Sequence, residues 1–225
     1  MERTRRMKMV ILAAGLGTRM RETMGSKPKI LADLGGESIL DRLLAMGREL
    51  RLEPMIVTRP EFAADFRDTP AEVLVEEQPV GFMTTLYQTR DLIQETFVWV
   101  GGDMVFSEIE PLRELVEAHR PEDFASFLVC RTDRFKAKVR FEPTFDFDVT
   151  REGEWALSMP TFAVQSPRLF SFMEGDAERI YPLFPALAAG ETFRFRECLP
   201  QIFEIDTPLD LAEARDYLAR CASIS

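Results

Sequence analysis

The chain is poor in the residues that most often carry metal and acid–base chemistry: it has 225 residues, one histidine and three cysteines. Cys130, Cys198 and Cys221 contain no C-x-x-C pair, so no zinc or redox motif of that type is encoded. They are far apart in sequence and odd in number, and they read as free thiols of a reducing cytoplasm, filling core space as small apolar residues. His119 closes an amphipathic helix pattern just before Arg120-Pro121. There it suits the helix dipole as a C-terminal cation better than it suits a reacting centre as a base. Long apolar runs are missing too; none approaches the roughly 18 residues needed to cross a bilayer. Val10–Ala14 is too short for the apolar stretch of a signal peptide. Positive charge is in deficit, with a formal net charge of −10 and a pI near 4.8, so no basic field is available to hold a nucleic acid. Any anion site must therefore be local. There is no internal repeat and no low-complexity linker. With 46% hydrophobic and 29% charged residues, a single domain over residues 1–225 is expected, led by a disordered tail at residues 1–6.

The informative stretch runs from Met7 to Lys29. Val10-Ile-Leu-Ala-Ala14 is an apolar run without alternation, the pattern of a strand buried on both faces of a parallel sheet. Gly15 and Gly17 then remove side chains at the strand's carboxyl end, where backbone N–H groups can close on an anion. Thr18, Arg19 and Lys29 add a hydroxyl and two cations, which together suit phosphate. Two other glycine loops are excluded. Met20 stands where the dinucleotide fingerprint G-x-G-x-x-G needs its third small residue, and Gly25-Ser-Lys27-Pro28 does not make a Walker loop.

Further along, strands and helices alternate as in a doubly wound, mostly parallel α/β sheet. Ser38-x-x-Asp41 reads as a capping box that opens a helix, and Ser107-x-x-Glu110 as a second one. Strands are expected at Met55–Thr58, Val73–Val75, Phe97–Val100, Phe124–Val129, Pro160–Val164 and Ile202–Ile205. Helical pieces are expected at Glu61–Phe66, Met83–Ile93 and Ile180–Ala189, with another starting at Ser166-Pro167. Between Arg131 and Trp155 the pattern changes to short β pieces with alternating charge, read as a small, partly antiparallel lobe over the open end of the sheet. Thr207, Pro208 and Asp210 make the clearest helix start in the chain. Asp103 and Asp206 each follow a hydrophobic strand and precede a capped helix, so both could project over the carboxyl edge where the glycine loop lies. Two carboxylates meeting a triphosphate are a sufficient protein contribution to an Mg²⁺ site.

Gly15-x-Gly17-Thr18-Arg19 followed by Pro28-Lys29 resembles the signature of the sugar-phosphate nucleotidyltransferases, in the nucleotide-diphospho-sugar transferase superfamily. Val100-Gly-Gly-Asp103 and Glu204-Ile-Asp206-Thr-Pro208 are similar to the family's two metal-binding segments, in the family's order. The resemblance implies a Rossmann-like nucleotidyltransferase fold with a small antiparallel lobe on the acceptor side. It implies that Leu12, Ala13, Ala14, Gly15, Gly17, Thr18, Gln78, Gly81 and Gly102 hold the nucleotide. Arg19 would grip the outgoing pyrophosphate, Lys29 would neutralise the α-phosphate, and Asp103 and Asp206 would bind Mg²⁺. The implied reaction couples a nucleoside triphosphate to a phosphorylated small molecule, a sugar 1-phosphate first, and releases pyrophosphate in the cytoplasm. A phosphate monoester has a second pKa of roughly 6 and is its own ionised nucleophile, so a scarcity of histidine is no obstacle. Gln78 both donates and accepts, which leaves UTP, CTP and dTTP open. The family's acceptor segment Glu-Lys-Pro is replaced by Phe141-Glu142-Pro143, with Lys138 or Arg140 as substitutes for its Lys. A phosphocholine acceptor and a non-catalytic nucleotide-binding protein therefore stay open.

Overall fold

The computed structural model describes residues 6–79, 81–131, 137–140, 146–148, 157–173, 183–198 and 201–223. The tail expected at residues 1–6 lies, except for Arg6, outside them. The chain opens with β1 (Lys8–Leu12), then α1 (Arg21–Met24), α2 (Ile39–Glu49), β2 (Glu53–Thr58), β3 (Glu72–Val75) and α3 (Phe82–Tyr87). β4 (Phe97–Gly101), β5 (Met104–Phe106), α4 (Glu110–Ala118) and β6 (Asp123–Cys130) follow. Next come β7 (Ala137–Arg140), β8 (Asp146–Asp148), β9 (Leu157–Met159), β10 (Phe162–Gln165) and α5 (Leu183–Ala188). β11 (Thr192–Cys198), β12 (Ile202–Glu204) and α6 (Pro208–Ala222) complete the order.

Ten of these strands form one mixed sheet in the order β3-β2-β1-β4-β10-β6-β9-β7-β8, with β11 alongside β6. β3, β2, β1 and β4 are parallel, while β10 runs antiparallel between β4 and β6. An unalternating strand needs cover on both faces, and β1 has it. Met9 and Ile11 face a core shared with Ile39 and Leu43 of α2, Leu112 of α4 and Leu211 of α6. Val10 faces the opposite core, with Met83 and Leu86 of α3 and with Leu169. Helices on both faces make the arrangement doubly wound, as the alternation predicts. Leu43 and Leu44 place α2 by its apolar stripe, and the Ser38–Asp41 capping box fixes where it starts.

The expected antiparallel lobe is a continuation of the main sheet: β9 pairs with β6 at Ser158 and Cys130, and β7 lies between β9 and β8. Phe141-Glu142-Pro143 falls outside the described residues. Lys138 and Arg140 lie on β7.

Several expectations need correction. The helix expected to run to Ile93 ends at Tyr87. The Thr89 hydroxyl donates to the Leu86 carbonyl at 2.7 Å, a local bond that competes with continuation of the helix. α4 does not start from a Ser107 capping box; its N-cap is Ile109 and Pro111 sits in its first turn. A helix capped at Ser107 would put Pro111 one position too deep, against the Ser107 carbonyl. Ser107 instead donates to the Gln201 carbonyl at 2.8 Å. β12 lies off the main sheet and pairs antiparallel with β5. Asp103 is followed directly by β5 rather than by a helix. Core filling describes Cys130, against whose core the half-buried Cys198 packs, but not the exposed Cys221. Register on β6 and β11 places Cys198 opposite Cys130, with the sulfurs 3.0 Å apart.

Candidate active site

The parallel strands end together, and their carboxyl edge collects the residues singled out in the sequence. Beyond Leu12 the ladder runs one step further, with Ala13 N–H donating to the Val57 carbonyl at 2.8 Å. The chain then leaves the sheet as an exposed loop over residues 15–19. Gly17 has φ +57°, a left-handed conformation that strains other residues, and its Cα faces the Lys29 side chain. Thr18–Met20 form a 3₁₀ turn, and Met20 is buried in the core. The position where a dinucleotide site needs a small residue is thus a packing residue here. At the end of β4, Gly102 N–H donates to the Leu12 carbonyl at 2.9 Å, and a Cβ at residue 102 would sit 2.9 Å from that same oxygen. Only glycine lets the Asp103 turn come so close to β1.

The β5–β12 pairing brings the second acid to the first. Ile205 N–H donates to the Asp103 carbonyl at 2.8 Å, which continues the ladder past Glu204 and Met104. Thr207 caps α6 by the predicted box, and the Asp210 carboxylate also accepts from the Asp206 N–H at 3.0 Å. Asp206 is therefore held from both sides.

The two cations close on these acids. Lys29 Nζ donates to Asp103 Oδ2 at 2.8 Å and to Asp206 Oδ1 at 3.0 Å, and Arg19 Nη2 donates to Asp206 Oδ2 at 2.7 Å. Burial alone would lower the Lys29 pKa, but Asp103 and then Asp206 outweigh it, so the ammonium is held above its ordinary value. Arg19 is more exposed, with 58% of its side chain open against 16% for Lys29, so the two cations meet the acids from different depths. Lys27 is exposed and Pro28 is buried. Lys29 enters the site as the first residue of a 3₁₀ turn, Lys29–Leu31, that Pro28 caps.

Sequence reasoning missed Glu204. One carboxylate oxygen each from Asp103, Glu204 and Asp206 lie within 4.8 Å of one another, a donor set suited to a hard divalent cation. The signal was present: Glu204 is two residues before Asp206 in an extended segment, and alternation puts both on one side. Gln78 is exposed on the loop leaving β3, and a Cβ at Gly15 or Gly81 would meet nothing within 4 Å. The loop leaving β3 is two strands away from β1. The structure thus gathers Arg19, Lys29, Asp103 and Asp206 tightly, with Leu12 and Gly102 beneath them. Gln78 and Gly81 sit farther along the edge.

His119 takes no part. It ends α4 as expected, but its Nδ1 lies 2.8 Å from Ser126 Oγ, and burial lowers its pKa against the opposing pull of Asp123. Burial thus favours its neutral form over the cation expected at that helix end.

Residues 9–200 match the family described as the MobA-like NTP transferase domain. The chain is 31% identical over 123 residues to the bifunctional protein GlmU of Synechococcus sp. strain JA-2-3B'a(2-13), covering 52% of this chain and 19% of that protein. It is 30% identical over 137 residues to the UTP–glucose-1-phosphate uridylyltransferase AglF of Haloferax volcanii, covering 56% of this chain and 55% of that protein. The chain therefore spans about a fifth to about half the length of these relatives. A putative glucose-1-phosphate thymidylyltransferase from Bacillus anthracis, solved with sucrose, has the same fold. Its TM-score is 0.80 at 17% identity, over 94% of this chain and 95% of that one.

Proposed function

Because the chain belongs to the MobA-like NTP transferase domain family, we propose that it transfers a nucleotidyl group from a nucleoside triphosphate to a phosphorylated small molecule and releases pyrophosphate. Sugar 1-phosphates are the acceptors this reading puts first, by likeness to the relatives' own activities. The observation that carries it is the ionic cluster of Arg19, Lys29, Asp103 and Asp206, assembled from three distant stretches of the chain at the carboxyl edge of the parallel strands. Ligands of open α/β sheets bind at that edge.

Each residue has a role that its geometry supports. N–H groups of the Gly15–Gly17 loop and the Thr18 hydroxyl face the phosphates. Leu12, Ala13, Ala14 and Gly102 form the floor under the nucleoside, and Gln78 and Gly81 lie along the edge where the base would rest. Arg19, the exposed cation, receives the outgoing pyrophosphate. Lys29, the less exposed one, stands against the α-phosphate and is already charged, so it stabilises the growing negative charge without a proton transfer. The acceptor phosphate attacks in its ionised form, and no residue of the chain need act as general base.

Asp103, Asp206 and Glu204 would hold a divalent cation, with Mg²⁺ the ion that best suits all-carboxylate ligands and phosphate oxygens. When bound, such an ion neutralises phosphate charge and orients the triphosphate. Lys29 now holds the positive charge between Asp103 and Asp206, so the acids are pre-set for a cation. The test is pyrophosphate release over a panel of triphosphates (UTP, CTP, dTTP, ATP and GTP) crossed with sugar 1-phosphates and phosphocholine. Steady release with one pair supports the reading; nucleotide binding without turnover across the panel overturns it.

A further inference from the structure

Among the described residues three charged side chains are buried: Arg59, Glu76 and Asp123. Asp123 is accounted for at the other edge of the sheet, where it accepts from Arg194 and from the Arg120 N–H. Arg59 and Glu76 both stand one residue beyond a strand at the carboxyl edge, and Arg59 Nη1 lies 3.8 Å from Oε1 of the exposed Glu61. Arg59 is 8% exposed and follows β2; Glu76 is 5% exposed and follows β3. The two strands stay in register to this point, since Glu76 N–H donates to the Thr58 carbonyl at 2.7 Å. By alternation from the pair Thr58 and Val75, Arg59 and Glu76 project to the same face of the sheet.

Arg59 has a specific target there. Its Nε donates to the Ala14 carbonyl at 3.0 Å, in the first peptide of the phosphate loop. A peptide is planar and trans, so fixing the direction of the Ala14 C=O also fixes the Gly15 N–H, which points the opposite way. That N–H is the first of the loop donors in the proposed phosphate cradle. Glu76 lies on the neighbouring strand at the same register position, a buried acid on the same side of the sheet as Arg59. The Thr85 hydroxyl and then the Arg59 charge act on its carboxylate, but neither oxygen receives a hydrogen bond of full bonding geometry. A buried carboxylate so thinly hydrogen-bonded costs the fold stability, so packing gives no reason for its presence.

We infer that Arg59 and Glu76 are a positioning pair for the phosphate loop, Arg59 setting the Ala14–Gly15 peptide and Glu76 supplying the countercharge that keeps Arg59 in place. The inference rests on the nucleotidyl-transfer reading. Neither residue touches the reacting atoms. Their effect is on how well the loop is prepared for the triphosphate, which appears as ground-state binding and therefore in KM more than in kcat.

The experiment separates this role from a structural one. Triphosphate affinity is measured calorimetrically for UTP, CTP, dTTP, ATP and GTP with Mg²⁺ and no acceptor, on the full chain, beside thermal melts of each variant. Glu76→Gln keeps the shape and removes the charge. It should raise the melting temperature while weakening triphosphate binding roughly 3- to 10-fold. A merely structural residue would move both in the same direction. Arg59→Ala should weaken binding more, about 10-fold or beyond, with kcat within about threefold of the parent. Arg59→Lys keeps a cation without the planar fork and should recover part of the loss. Adding Glu76→Gln to Arg59→Ala should change little further, because the group it acts through is gone. If the parent binds a triphosphate and Glu76→Gln and Arg59→Lys bind it equally well, the pairing is wrong and the proposed function stands. If the parent binds none of the five, the proposed function falls and this inference falls with it.

Discussion

Lys27 and Lys29 are separated by one proline, yet Lys29 is clamped between two carboxylates while Lys27 lies exposed. If the Lys29 charge works on the transition state, Lys29→Ala should lower kcat and kcat/KM together, by roughly 10²-fold or more. Lys27→Ala should leave rate and stability close to the parent. Steady-state kinetics of both under saturating triphosphate decides, and equal small effects would misplace the cation. For the acids, Asp103→Asn or Asp206→Asn should nearly abolish turnover with the melting curve intact, whereas Glu204→Gln should chiefly raise the Mg²⁺ concentration needed. An Mg²⁺ titration unchanged in Glu204→Gln would remove that residue from the ligand set. Glu76 gives a pH signature. Burial raises its pKa against the Thr85 hydroxyl and the Arg59 charge, so the folded state binds the proton more tightly than the unfolded chain. Stability contributed by the protonated form is full below the unfolded value and declines as pH rises through the folded one. Glu76→Gln should flatten that decline, read as the difference in melting temperature between variant and parent from about pH 4 to about pH 7. Parallel curves would contradict the sign. Legibility differed among these residues. Arg19 and Asp103 were readable from the glycines beside them at strand ends, and Lys29 and Asp206 from the family resemblance of Pro28-Lys29 and Asp206-Thr-Pro208. Arg59 and Glu76 carry no motif, and what makes them unusual is burial, which only the fold assigns.

α6 is the element whose start matters most to the site. Its cap residue follows Asp206 directly, and Asp210 Oδ2 accepts both the Thr207 N–H at 2.7 Å and the Asp206 N–H at 3.0 Å. One carboxylate thus begins the helix and fixes the backbone of a candidate metal ligand. Asp210→Ala should cost about 1 kcal/mol of stability for the lost cap, and it should also raise the Mg²⁺ requirement, because Asp206 is released on one side. Thr207→Ala removes the cap hydroxyl but leaves Asp210 in place. It should cost similar stability with less effect on metal dependence, and melts with Mg²⁺ titrations of both variants would show whether the effects separate. This start was legible from Thr207, Pro208 and Asp210 alone, since cap chemistry is local. The start of α4 was misread because Ser107 and Glu110 have the right spacing but Pro111 forbids that register. The end of α3 depended on a threonine hydroxyl turning back on the helix. The antiparallel entry of β10 between β4 and β6 was not legible at all, because strand direction in a mixed sheet comes from which neighbours the chain reaches, not from residue pattern.

At the scale of the whole molecule, no helix among the described residues is long and apolar enough to cross a membrane. A net charge of −10, and an Arg19–Lys29 edge whose cations are paired with acids, give no field that attracts a triphosphate by itself, so on the proposed reading binding depends on Mg²⁺. Binding there would join the glycine loop, the Lys29 turn, the Asp103 turn and β12, four segments that the sheet alone does not tie together. Triphosphate with Mg²⁺ at about 100 times its Kd should stabilise the fold by about 2.7 kcal/mol, a rise in melting temperature of roughly 5–10 °C for a chain of this size. Chelating the metal should abolish most of it. Hydrogen exchange should slow together in residues 13–20, 28–31, 101–104 and 202–206, and slowing confined to the glycine loop would mean the four do not form one site. The pairing of β5 with β12 has a further consequence, in time rather than space. As the chain emerges during synthesis, the anion loop, Arg19, Lys29 and Asp103 all precede the segment that brings Asp206, so a nascent chain holds cations and one acid without the other. On this reading the protein cannot begin to consume triphosphate while its middle is still folding. Turnover itself reports that the late strand has found the early one.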